Sequence, residues 1–264
     1  MEVLIEQVEW FPGVAGVLEH HARALPQPDQ LCGPFWAALA TGTDVRTCAL
    51  ASGTRIWPHD LPGSRPSGEP PATSAWPGLP RAGSSGHAGT SARGVGAAVV
   101  AASRGALAAV PVTGQWTVPR LAAVLAMLAS GLPATPVANL DTAELTGSTD
   151  AAGLQRYLDA GDDSALTPHP WRTGHFAMPA GLLRGRRGTL VAIADTYPSL
   201  GHRGIHLQPV ERLTGALARR QPGTGGILLA VGAGLADDTA ARIEDLGLEA
   251  RWWDNGTPYP ADRL

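Results

Sequence analysis

The first of the chain's two cysteines lies in PQPDQLCGPFWAALA, residues 26–40, at a place where a thiol can react. Pro34 is tolerated only in the first turn of a helix, where its missing N–H has no partner anyway. Phe35, Trp36, Leu39 and Ala40 then continue an apolar helical face up to Thr41, so the spacing predicts a helix that opens at Cys32. The unpaired N–H groups and positive dipole end of a helix N-terminus favour a thiolate, the nucleophilic form. Those N–H groups can also hold an oxyanion, and the backbone N–H of Cys32 needs only a side-chain amide beside it. Gln27 and Gln30 both precede the cysteine. Gln27 is the preferred donor, because it lies farther back, where a loop can fold it over the thiol.

A nucleophilic cysteine also needs a base and a group that orients the base. GHFAMPAGLLRGRRGTLVAIADTYPSLG, residues 174–201, offers both. His175 begins one predicted strand, and Asp195 ends the next. A hairpin turning at Arg184 to Gly188 sets the start of the first strand beside the end of the second, which brings imidazole and carboxylate together.

The elements around these residues follow from periodicity. Helices are predicted over 13–25, from Cys32 to Thr41, from Ser91 to Leu107, from Thr117 to Ser130 and over 150–160, with a strand from Ala108 to Val112. HFAMPAGLL, GTLVAIAD, GILLAVGA and EARWW read as four later strands, with helices at Pro209 to Ala218 and Asp238 to Leu246. Helices first and strands later give an α+β architecture, expected as one domain over residues 1–264. Residues 57–90 are rich in Pro, Gly and Ser and lack periodicity, so they form either a binding loop or a disordered insertion.

Composition excludes several functions. The 20 basic residues are all arginine, so Schiff-base lysines, covalent pyridoxal phosphate and Walker-type phosphate loops drop out, and no cofactor is expected. A formal charge of -3 with no basic run argues against a nucleic-acid partner. Neither a signal peptide nor an apolar run of membrane-spanning length is evident, so a cytoplasmic location, no membrane partner and reduced Cys32 and Cys48 are expected. Cys48, in RTCALASG, reads as a core residue. His169, His175, His202, His206 and Asp195 raise a metal-dependent hydrolase as an alternative. No His-Glu-x-x-His or paired Cys-x-x-Cys pattern supports it, and no metal ligand is assigned.

The Cys-Gly-Pro run opening a helix, the later Gly-His-Phe strand and the Asp closing the following strand resemble the papain-like cysteine peptidases. The closest pattern is that of the bacterial leader peptidases that cut after double-glycine sites. Papain-type spacing puts the histidine about 130–150 residues beyond the cysteine, and His175 falls in that range. The resemblance implies a papain-like fold with N-terminal helices on a mostly antiparallel sheet. It implies Cys32 as nucleophile, His175 as general base and acid, and Asp195 as orienting residue. The reaction it implies is hydrolysis or acyl transfer on a peptide or small acyl substrate, in the setting of natural-product biosynthesis. A non-catalytic papain-like binding module that recognises partners through the 57–90 loop is a further alternative. Two departures stand out: Pro26 occupies the family's glutamine position, with Gln27 one residue on, and Asp195-Thr196-Tyr197-Pro198 replaces the usual Asp-Pro.

Overall fold

The computed structural model describes residues 1–72, 78–147, 150–219 and 223–259. In chain order the helices are α1 (Glu2–Ile5), α2 (Ala15–Ala24), α3 (Cys32–Thr41), α4 (Val45–Ala51), α5 (Ala92–Ala102), α6 (Val118–Ala129), α7 (Ala151–Ala160), α8 (Val210–Leu217) and α9 (Ala236–Asp245). The strands are β1 (Glu9–Trp10), β2 (Leu107–Val112), β3 (Ala134–Asp141), β4 (Gly174–Arg184), β5 (Thr189–Ala194), β6 (Ile205–Pro209) and β7 (Gly226–Gly232). They form one open sheet in the order β2-β7-β3-β4-β5-β6, with β1 added to β4. Every pairing is antiparallel. The fold is therefore α+β with a mostly antiparallel sheet.

Capping side chains start several helices where the sequence puts them. Ser91 accepts from Gly94 N, Thr117 from Arg120 N, and Asp150 from the N–H groups of Ala152 and Gly153. Strand prolines obey the hydrogen-bond ladder. Pro111 lies on the edge strand β2, and Pro179 at the irregularity in β4. Pro136 pairs only with β7, because the β3/β4 ladder begins at Ala138. In none of these places does the missing N–H break a ladder on both sides.

Several sequence expectations need correction. Besides the expected β2, the strands β1 and β3 also precede α7. The helix at Ser91 ends at Ala102, and Leu107 already belongs to β2. EARWW is not a strand: Glu249 makes an isolated bridge to Thr113, and Trp252 and Trp253 follow in irregular backbone. Three strands, β1, β3 and β6, were not anticipated.

α3 is the helix that matters for chemistry. It packs on β4, where the Trp36 indole donates to the Phe176 carbonyl at 3.0 Å, and Phe35 and Trp36 are almost completely buried. On its other side Gly33 lets α3 approach α5, because a Cβ there would lie 2.6 Å from Val95 Cγ2. Truncating a side chain such as Trp36 in such a core costs about 3–5 kcal/mol. Helix position and strand β4 are thus locked to each other immediately beside Cys32 and His175.

Much of the 57–90 segment is tied down. Arg55 and Ile56 bridge to Gly89 and Arg81, and Arg65 is buried between Asp60 and Asp29. Glu69 accepts from Ser199 N at 3.0 Å, and Ala72 O from Asp29 N at 3.3 Å. Of this segment, residues 73–77 lie outside the described residues. Several of its described residues, among them Leu61, Ser64 and Ser85, line one cavity with Cys32.

Candidate active site

Cys32 is the first residue of α3 and is half-buried. No side chain caps this helix, whose first bond runs from Phe35 N to Leu31 O, and Pro34 has no N–H to offer. The N–H groups of Cys32 and Gly33 are thus left for a ligand.

The hairpin β4/β5 positions the next two groups through simple register. Ala194 pairs with Met178, so Asp195 falls opposite Ala177, and His175 is its diagonal neighbour on the same face. The ring of His175 donates through Nε2 to Asp195 Oδ1 at 2.9 Å. That leaves Nδ1 free to face Cys32, which lines the same cavity as this ring and favours its charged form. Three groups remote in sequence thus share one corner.

β6 repeats the register argument on the other side of the carboxylate. Asp195 N donates to Gly204 O, and His206, two residues on, reaches Asp195 Oδ2 with Nε2 at 3.3 Å. The Gln208 amide donates to His206 Nδ1 at 2.8 Å, which leaves the His206 proton on Nε2, and Thr146 holds that amide through its N–H and C=O. The carboxylate is anchored further by Thr196 N at 2.6 Å, and its backbone carbonyl accepts from His21 Nε2 of α2 at 2.5 Å.

Burial opposes charge on both partners, but the pair overcomes it. Against that burial, the Asp195 charge and hydrogen bond, helped by Cys32, raise the His175 pKa to about 10. Asp195, despite equal burial, is held well below the usual carboxylate range by His175 and His206. An imidazolium beside the sulfur and a carboxylate behind the imidazolium is the charge arrangement that results. Trp171 keeps water from the pair. Its ring meets His175 edge-on at 4.8 Å, and its indole donates to Gly63 O in the 57–90 segment.

The two glutamines part company. Gln27 is buried beside Cys32, donates through Nε2 to the Tyr197 hydroxyl at 3.1 Å, and leaves Oε1 without a partner. Gln30 uses both ends of its amide to clamp the backbone of Trp57, accepting from its N–H at 2.7 Å and donating to its carbonyl at 3.2 Å. Its role is to fasten the 57–90 segment, whereas Gln27 stays with the thiol.

The histidines weighed as metal ligands are dispersed into other duties. His169 Nδ1 accepts from Trp171 N, His202 lies 3.9 Å from Glu2, and His175 and His206 both face Asp195. Among the described residues no group of three or more His, Cys, Asp or Glu is arranged to hold a metal ion. Nor is any described helix long and apolar enough to cross a membrane.

Cys32 and His175 open onto a cavity of about 220 Å³. The 57–90 segment forms part of its wall through Leu61, Ser64, Ser85 and Gly89, and Asn139, Arg219 and Asn255 form another part. Sequence reasoning did not single out Trp171, Thr196, Asn139 or Arg219. His206 was weighed only as a metal ligand; its place beside Asp195 was hidden because the short, Pro-terminated β6 was not foreseen.

A family model covering residues 11–254 matches this sequence; its description is a family of unknown function, DUF6885. The chain belongs to that family. No curated protein matches the chain, and no solved structure matches it. For DUF6885, then, the site itself is the route to function.

Proposed function

We propose that this DUF6885 protein is a cysteine-dependent hydrolase or acyltransferase of papain-like type. The observation that carries the reading is the His175 ring, joined to Asp195 at 2.9 Å and lining one cavity with Cys32 at the open start of α3. The Cys32 thiolate attacks the carbonyl carbon of an amide, ester or thioester. The developing oxyanion takes hydrogen bonds from the Cys32 N–H and the Gln27 amide. His175 gives its proton to the leaving group as the C–N, C–O or C–S bond breaks, and a thioester acyl-enzyme remains. Water or an amine then attacks that thioester and loses its proton to His175, while the sulfur departs as thiolate. Asp195 holds the ring and stabilises its positive charge throughout.

Gln27 fits the oxyanion role by its unused oxygen. A half-turn of the amide lets Oε1 accept from the Tyr197 hydroxyl and leaves the NH₂ as the free group at the Cys32 cavity. Incubation with p-nitrophenyl acetate tests the reading. It predicts a burst of nitrophenolate and an acetyl group mapped to Cys32 by mass spectrometry, both lost in Cys32→Ala. Acetylation elsewhere only, or acetylation of Cys32 unaffected by His175→Gln, would contradict it.

A further inference from the structure

We infer that the Cys32 cavity takes a substrate bearing a carboxylate, and that Arg219 is its counter-ion; this rests on the proposed cysteine chemistry. The Arg219 side chain follows α8, is 6% exposed, and forms part of the wall of the same cavity as Cys32 and His175. A buried arginine ordinarily has an acidic partner, because an uncompensated charge in low dielectric is costly. Arg219 has none among the described residues: no carboxylate forms an ion pair with it. Its nearby acids are engaged elsewhere, Asp141 with the N–H of Ala143 and Asp254 with the N–H of Gly256.

Among the described residues only Nη2 of the guanidinium finds acceptors, Asn139 Oδ1 at 2.5 Å and the carbonyls of Thr224 and Asn255 at 3.4 Å. Nε and Nη1 are buried and unpartnered. Nη1 lies against Gly174, the residue before His175, and a Cβ on that glycine would come within 2.5 Å of it. The absence of a side chain at Gly174 is what lets the guanidinium approach the start of β4, next to the base. Burial lowers the Arg219 pKa, and the negative charges of Asp141, Asp254 and Cys32 work against that, so sulfur and guanidinium are in electrostatic reach.

The rest of the lining agrees in sign. Ser64, Ser85, Thr90, Thr173 and Thr257 bring hydroxyls, while among the described residues no Asp or Glu lines the cavity. A cation with spare donors, an imidazolium and hydroxyl groups make a pocket for an anion, and a carboxylate supplies the charge-assisted acceptor that Arg219 lacks. The carboxylate can belong to the C-terminus of a peptide or to an acidic side chain. Both sources give the same contact, with the scissile carbonyl at Cys32 and the acid at Arg219.

Matched thiol reagents test this without knowledge of the substrate. Iodoacetamides whose amide nitrogen carries an ω-carboxyalkyl chain of graded length are compared with their methyl esters, each rate at Cys32 being divided by that at free glutathione. At one chain length the acid should alkylate Cys32 at least 10-fold faster than the ester, and the preference should collapse in Arg219→Met. Should that variant fail to fold, the unaltered protein still decides: glutarate, but not glutaramide, should slow alkylation of Cys32 by plain iodoacetamide. N-acetyl-glutamic α-amide and N-acetyl-glutamine, used as protectants, separate a side-chain acid from a terminal one. Fast His175-dependent labelling of Cys32 with no acid preference and no protection would overturn the carboxylate site and leave the cysteine chemistry standing. Failure of every reagent to label Cys32 would overturn both.

Discussion

Cys32 and Cys48 lie on consecutive helices and share no chemistry. Cys32 begins α3, half-buried, at the mouth of a cavity that an imidazole also lines. Cys48 lies inside α4, fully buried among core residues, and burial pushes its thiol pKa up to about 11. Residue type alone therefore says nothing; a thiol becomes a nucleophile through its place on the helix and the company it keeps. The same lesson holds for the histidines on either side of Asp195. His175 shares a cavity with a sulfur, and His206 turns its second nitrogen to the Gln208 amide.

The contrast breaks most sharply by mutation. Cys32→Ala should remove the nitrophenolate burst completely, while Cys48→Ala should keep it within about twofold; equal loss in both would erase the distinction. Next comes Asp195→Asn. General acid–base groups contribute about 10²–10⁴-fold, and an orienting carboxylate should account for a substantial part of that in the acylation rate. The variant should also change the pH profile. A histidine whose pKa is raised to about 10 keeps its proton through neutral pH and loses it in the alkaline range. Without Asp195, burial acts against the charged ring, so the alkaline limb should move to lower pH. An unmoved limb would show that Asp195 does not set the ring's charge.

Stability should follow the same signs. The raised His175 pKa contributes stability that is fully present below the ordinary histidine value of about 6.5 and is lost as pH rises through about 10. The lowered Asp195 pKa contributes stability present above the ordinary carboxylate value of about 3.9 and lost as pH falls below it. Denaturant melts across pH should therefore be less steeply dependent in Asp195→Asn. The smallest effect belongs to Cys48→Ala, a loss of about 1–2 kcal/mol from a buried small side chain, measured by denaturant midpoint with activity unchanged.

The helix start at Cys32 and the β4/β5 hairpin were legible because each is a local pattern: a proline in a first turn and a tight turn between two apolar runs. Gln27 and Gln30 look alike in sequence and differ only through Trp57, whose backbone one of them clamps. β3 was hidden by Pro136, which is harmless only because the partner on that side begins at Ala138. The Pro/Gly/Ser composition of 57–90 speaks for disorder, yet Arg65, Glu69 and Gly63 tie its described parts to Asp29, Ser199 and Trp171. Arg219 gave no signal, since its isolation is a property of packing.

The most direct test measures second-order iodoacetamide rates at Cys32 and Cys48 in the folded protein near pH 6, with and without His175. The account predicts Cys32 at least 100-fold ahead, and a fall of at least 10-fold at Cys32 alone in His175→Gln. Comparable slow rates at both thiols, or a Cys32 rate indifferent to His175, would contradict it.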